Sequence, residues 1–287
     1  MCYEQADNIM ETEPDKALEL LSGLQPDDFS RDELAYYSLL YTQAQIKCNL
    51  KISSDSLIIN AVRRYSDTNK GDRKIRAYFY WAYTRYYSKL PHDAMKYTLE
   101  AYELAKENND YYWIAKSAEF ISDIFFESYN YKEAEKYTQE AIKNFALAGR
   151  TTNHRYALCD LAIINLNQNN DNQTIALLDS LLNICEKESP PNLELIDYIK
   201  QPLFEAYIQT GRYNEVDTNF YDVYTHIQTN QEKIEAAIVM SDVQRQSVNF
   251  DIDNTLLTRV RDNDSQLGDF AIKYDLSGDP DGSPDFF

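Results

Sequence analysis

A repeat with a period of about 40 residues is the feature of this sequence that most restricts its fold. A small or apolar residue is followed twelve positions later by another, and the second members of successive pairs lie 40, 40, 40 and 42 residues apart. Two antiparallel helices pack closely only where side chains are small, so this spacing predicts a repeated helix pair. The pairs are Thr42 with Ser54, Ala82 with Ala94, Ser122 with Ala134, Ala162 with Thr174, and Phe204 with Val216.

The segments between the predicted helices are rich in residues that end one helix and begin the next. Residues 90–93 read Leu-Pro-His-Asp, and residues 168–172 read Gln-Asn-Asn-Asp-Asn. Pro, Asn and Asp favour turns and helix starts. The whole chain has only 7 Gly and 8 Pro, which is too few for the turns of a many-stranded β protein. The predicted fold class is therefore all-α.

The predicted helices occupy most of the chain, and its end differs in composition. They lie at about 3–13, 15–23, 31–50, 53–66, 71–89, 92–108, 111–128, 131–147, 152–168, 172–186, 193–210 and 213–228, with a capping helix at 231–249. Residues 1–250 are thus predicted to form one repeat domain that opens with a half repeat. Residues 251–287 gather Asp, Gly, Ser and Pro and predict a disordered tail. Alternating apolar residues at 270–276 would also suit a segment lying extended in a groove.

Two segments carry a resemblance to the tetratricopeptide repeat (TPR) family: residues 129–134, Tyr-Asn-Tyr-Lys-Glu-Ala, and residues 210–216, Thr-Gly-Arg-Tyr-Asn-Glu-Val. The usual period of that family is about 34 residues, so this array is expected to carry longer helices or longer loops. The resemblance implies a superhelix of antiparallel helix pairs, with a concave groove lined by four positions around the small residue of each first helix. It also implies a protein or peptide partner.

Applied to this chain, the family's groove positions select candidate partner-binding residues that mix aromatic rings with both signs of charge. The same positions also include Phe126. The alternative is that the tyrosines only pack between neighbouring repeats. The candidates are Tyr36, Gln43, Arg76, Phe79, Tyr83, Tyr86, Lys116, Glu119, Asp123 and Tyr156.

The first hundred residues resemble a more specific group, the bacterial surface lipoproteins whose mature chain opens with Cys and continues into TPR units. The matching segments are Cys2, residues 6–21, residues 35–44 and residues 54–58. In that group the Cys is lipidated, so the resemblance implies a lipid anchor at Cys2 and a place in the cell envelope, periplasmic or anchored at the outer membrane. A native initiator Met followed by an ordinary Cys, in a cytoplasmic protein, is the alternative.

Charge and motif content argue against several classes of function. The 28 Lys and Arg against 47 Asp and Glu give a net charge of -19, which disfavours binding to nucleic acid. His92, His154 and His226 fall in different repeats, and the cysteines form no C-x-x-C pair, so no metal site is predicted. No phosphate-binding loop or dinucleotide fingerprint occurs, and no cofactor is expected.

The residues therefore favour a non-catalytic scaffold that binds a protein or peptide. A ligand- or glycan-sensing module of a membrane-linked signalling or regulatory protein is the alternative, because grooves rich in aromatic residues suit sugars. An enzyme is the weakest of the three interpretations, and it would require a buried cluster of titratable groups with shifted pKa values. The oligomeric state is not indicated by the sequence.

Overall fold

The computed structural model describes residues 2–52, 54–67 and 71–212, and within these ranges the chain is helical with no strand. The predicted all-α class is confirmed. The predicted helices at 213–228 and 231–249, the residue Val216 and the tail at 251–287 lie outside the described residues. The helices are α1 (Cys2–Ile9), α2 (Pro14–Ser22), a 3-10 turn (Pro26–Asp28), α3 (Arg31–Lys47), α4 (Ser56–Tyr65), α5 (Gly71–Tyr87), α6 (Pro91–Glu107), α7 (Tyr111–Glu127), α8 (Tyr131–Leu147), α9 (Thr151–Asn167), α10 (Asp171–Glu186) and α11 (Leu193–Gln209).

The chain divides into two compact units, Met1–Ile164 and Asn165–Phe287. In the first unit each odd-numbered helix from α3 to α7 packs against the even-numbered helix that follows it. In addition, α3 contacts α5, and α5 contacts α7. We call the surface formed by α3, α5 and α7 the first-helix wall. In the described part of the second unit, α10 packs against α11.

Small residues lie where the paired helices of the first unit meet. Ala82, Ala94 and Ala134 are fully buried. The Ser122 hydroxyl is buried as well and donates to the carbonyl oxygen of Ala134 at 2.9 Å, while its oxygen lies 2.7 Å from the hydroxyl of Thr138. A hydrogen bond this short between α7 and α8 requires close backbone approach, which small side chains permit.

Ser54 differs from the other small residues because it is exposed. Helix α4 begins only at Ser56, so Ser54 lies before the helix rather than inside the contact. Its hydroxyl accepts a hydrogen bond from the Ser56 N–H at 3.2 Å. The second helix of this pair is therefore shorter than the 53–66 predicted from the repeat.

The long period comes from long helices and not from long loops. Helices α5 to α9 each contain 17 residues and begin 20 residues apart, so two helices and two three-residue turns fill 40 residues. In the turn after α5, the N–H of Lys89 donates to Tyr86 and the N–H of Leu90 donates to Arg85, as in a Schellman motif. The middle residue of each turn has a φ between 55° and 66°; these residues are Lys89, Asn109, Tyr129, Gly149 and Asn169.

Among the described residues, no helix combines the length and the apolar character needed to cross a bilayer.

Candidate functional site

The ten candidate partner-binding residues fall into three groups in the structure. Those on α3 and the first half of α5, namely Tyr36, Gln43, Arg76 and Phe79, are buried. Those on the second half of α5 and on α7 lie close together around an open pocket. Tyr156 is half-buried on α9 and does not line that pocket.

The buried polar residues of the first group form a network with α1, which we call the Asp7 network. Arg76 donates through Nη2 to Asp7 Oδ1 at 2.7 Å and to Gln43 Oε1 at 2.6 Å. The Tyr36 hydroxyl donates to Asp7 Oδ2. Gln43 Nε2 also donates to Glu11 of α1 at 3.2 Å. These side chains are thus occupied by contacts within the chain.

Charge pairing in the Asp7 network outweighs burial. Burial by itself would raise the pKa of Asp7, but the hydrogen bond and positive charge of Arg76 leave that pKa below its ordinary value. Burial would likewise lower the pKa of Arg76, and Asp7 raises it overall. Both groups therefore stay charged and bonded at neutral pH, which is the pattern of a structural ion pair.

Phe79 belongs to the aromatic core of the first unit. Only 2% of it is exposed, and its ring centroid lies 5.1 Å from that of Tyr83 and 5.2 Å from that of Trp113. Tyr80 and Phe120 complete the set of rings around it. Phe79 consequently supports the wall from behind.

The second group surrounds a pocket of about 310 Å³ between α5 and α7, which we call the α5–α7 pocket. The Tyr83 ring stacks on Phe120 at 4.0 Å, and Tyr86 meets Phe120 edge-on at 5.5 Å. Tyr87 is 53% exposed. The pocket is lined by Tyr83, Tyr86, Tyr87, Phe120, Asp123, Phe126 and Glu127.

Lys116 and Glu119 form an ion pair on α7 next to this pocket. Burial would lower the pKa of Lys116, but Glu119 and then Tyr83 raise it well above its ordinary value. The ammonium therefore keeps its proton. Because Lys116 is committed to Glu119, it does not neutralise the other carboxylates of the wall.

The pKa of Asp123 is raised well above its ordinary value. The main cause is the loss of surrounding water, followed by the negative charges of Glu119, Asp160 and Glu127, which Lys116 only partly opposes. The side chain is still reached by solvent from the open side of the pocket. Its carboxyl group therefore lies in a negative environment at a surface that a ligand can reach.

Three pocket residues, Tyr87, Phe120 and Glu127, were not selected from the sequence. Tyr87 and Glu127 each stand five positions after the small residue of their helix, Ala82 and Ser122, and both are the last residues of 17-residue helices. The groove positions of a shorter repeat stop at the fourth position. The 40-residue period is the signal that could have extended the set by one residue on each helix.

The described residues contain no group of three His, Cys, Asp or Glu side chains arranged to hold a metal ion. Of the described cysteines, Cys159 and Cys185 are buried and Cys48 is half-buried, and all three are free thiols. For Cys48, burial raises the thiol pKa, which disfavours the reactive thiolate.

Comparison with known proteins defines the fold and not the family. No protein-family model matches the sequence. No match is found among curated proteins either.

Solved structures of three proteins share the fold. The apo form of the quorum sensor NprR from B. thuringiensis has a TM-score of 0.70 at 14% identity, over 95% of this chain and 81% of that chain. NprR in complex with its cognate peptide NprX gives 0.59 at 15% identity, over 96% and 81%. A Rap protein complexed with Competence and Sporulation Factor gives 0.62 at 13% identity, over 97% and 82%.

Aspartyl phosphate phosphatase F from Bacillus subtilis is also similar, with a TM-score of 0.57 at 13% identity over 96% of this chain and 77% of that chain. The fold is therefore that of TPR-like helical-repeat proteins. At identities this low the likeness is one of fold alone, and function has to be argued from the site.

Proposed function

We propose that this chain is a non-catalytic scaffold that binds a peptide or an extended protein segment along the first-helix wall, with one side chain entering the α5–α7 pocket. The observation that carries the proposal is the pocket itself. It is open, lined by aromatic rings and carboxylates, and set between two successive first helices. Aromatic-rich concave surfaces bind side chains by stacking and hydrogen bonding. NprR, which shares the fold, has been solved with a cognate peptide.

The polar residues beside the pocket favour binding over catalysis. A lysine that acts as nucleophile or base needs a lowered pKa, whereas the pKa of Lys116 is raised by Glu119. No His, Cys or Ser side chain lines the pocket. Since a phosphatase shares this fold, the argument rests on the side chains and not on the architecture.

Selection from a random 12-residue peptide library by mRNA display tests the proposal. The dissociation constants of selected peptides are then measured for the wild type and for Tyr86→Ser/Tyr87→Ser. We expect the double variant to bind at least about tenfold more weakly, since each aromatic contact contributes on the order of 1 kcal/mol.

The matched control is Tyr111→Ser/Tyr129→Ser, which removes two exposed tyrosines outside the pocket. Its affinity should equal that of the wild type. Equal losses in both variants, or none in the pocket variant, would contradict the proposal. Binding to a glycan array, with no peptide recovered, would favour the ligand- or glycan-sensing alternative.

We also propose, from the resemblance to surface lipoproteins, that Cys2 carries a lipid anchor that holds the protein in the cell envelope. Growth of the natural host with an alkyne-tagged fatty acid should label the wild type and a Cys48→Ser control, but not Cys2→Ser. Labelling that survives in Cys2→Ser would overturn the anchor. An unlabelled wild type would favour the cytoplasmic alternative.

A further inference from the structure

The aromatic rings of the α5–α7 pocket differ from other tyrosines and tryptophans of this chain in carrying no cation. Among the described residues, six rings outside the pocket have a Lys or Arg side chain over them, at 3.7 to 5.5 Å from the ring centroid. They are Tyr36, Trp81, Tyr97, Tyr102, Tyr112 and Tyr137. None of the rings lining the pocket has such a contact in the described part of the chain.

The carboxylates of the pocket lack a cation as well. Within the described residues, neither Asp123 nor Glu127 lies in an ion pair, whereas buried or half-buried carboxylates elsewhere on the wall are paired. Glu127 is engaged by the neutral hydroxyl of Tyr86, whose pKa is raised first by burial and then by that bond. The nearby ammonium of Lys116 is held by Glu119.

The pocket thus combines both elements of cation recognition, aromatic rings and carboxylates, with no positive charge from the chain. A cation near the ring faces is attracted by the ring quadrupole, and a partly desolvated carboxylate strengthens that attraction. A volume of about 310 Å³ suits the end of one long side chain and not a whole folded partner. Glycans carry no such charge in their common neutral forms.

We infer that the α5–α7 pocket takes the positively charged end of a lysine or arginine side chain of the bound peptide. This inference rests on the proposed function and names the chemistry of its ligand. The rings contact the stem and the charged group, and Asp123 and Glu127 supply the counter-charge. Charge complementarity also agrees with the net charge of -19, which draws basic peptides toward the protein.

Acetylated, amidated heptapeptides with random flanks and a central Lys, norleucine, Arg or citrulline provide the probe. Affinity selection with mass-spectrometric readout gives the recovery of each central residue. We expect at least tenfold enrichment of Lys over norleucine or of Arg over citrulline on the wild type, and the two comparisons separate ammonium from guanidinium recognition. The enrichment should fall to near unity on Asp123→Asn/Glu127→Gln.

The control variant Glu100→Gln/Glu107→Gln makes the same change in net charge at two exposed carboxylates of α6. It should keep the enrichment. If neutral and cationic peptides are recovered equally, and recovery still depends on Tyr86 and Tyr87, the inference fails while the proposed function stands. If no peptide is recovered, both fail.

A second readout detects the unpaired charge without any ligand. A carboxyl group whose pKa is raised by folding destabilises the folded state as pH rises above the ordinary value of 3.8. Asp123→Asn should therefore raise the melting temperature by about 2 °C at pH 7, with the difference vanishing near pH 4. Glu107→Gln should leave it unchanged. A lower melting temperature in Asp123→Asn at pH 7 would show that Asp123 is a structural group, and would overturn the inference.

Discussion

Phe79→Ala is expected to lower the free energy of unfolding by about 3–5 kcal/mol, the largest effect predicted for any single substitution in this chain. The Phe79 ring is almost fully buried among the rings of Tyr80, Tyr83, Trp113 and Phe120. Removing it leaves a cavity that aromatic neighbours cannot collapse to fill. Urea unfolding followed by circular dichroism measures the loss.

Two comparisons make the Phe79 prediction specific. Phe79→Leu keeps most of the volume and should lose less than about 1.5 kcal/mol. Tyr87→Ala removes an exposed ring of similar size and should change stability by less than about 0.5 kcal/mol. A Phe79→Ala variant as stable as the wild type, but unable to bind selected peptides, would instead place Phe79 in the binding surface.

Arg76→Ala is expected to lower the free energy of unfolding by about 2–4 kcal/mol at pH 7. The substitution leaves the Asp7 carboxylate and the Gln43 side chain without the guanidinium that bonds both. Breaking a buried ion pair by removing one partner costs about 3–5 kcal/mol, and the partial exposure of Asp7 reduces that figure. Arg64→Ala, which breaks an exposed ion pair with Asp32, should lose less than about 1 kcal/mol.

The pH dependence of the Arg76 effect follows from the lowered pKa of Asp7. A carboxyl group with a lowered folded pKa stabilises the protein above its ordinary value of 3.8, and that contribution is lost as pH falls through the folded pKa. The difference between the wild type and Arg76→Ala should therefore be full at pH 7 and should narrow in acid. A loss that is the same at pH 7 and in strong acid would show that packing, and not charge, is what Arg76 supplies.

Most of the described helices could be predicted from the sequence, because local signals agree with the repeat. The helix predicted at 131–147 is α8, and the one predicted at 172–186 differs from α10 by one residue. Helix ends were less predictable. The helix predicted at 31–50 ends at Lys47, because Asn49 adopts a left-handed conformation with a φ of 53° and closes the turn.

The candidate site could be predicted only as far as a helix face. Periodicity placed Arg76 and Tyr83 on the same side of α5, but only the structure shows that one is buried against α1 and the other lies at a pocket. The difference depends on Asp7, which is 69 residues from Arg76 in sequence. Which side chains on a face are covered by a distant helix is not encoded in the spacing of that face.

The uniform 20-residue step of α5 to α9 bears on how such a gene can change its length. Unequal recombination between two copies of the 40-residue segment adds or removes a whole helix pair and leaves every downstream side chain facing the same way. Loss of one codon within a 17-residue helix instead rotates all following positions of that helix by about 100°. Insertions and deletions in related genes should therefore come in multiples of 40 codons, or lie in the turns.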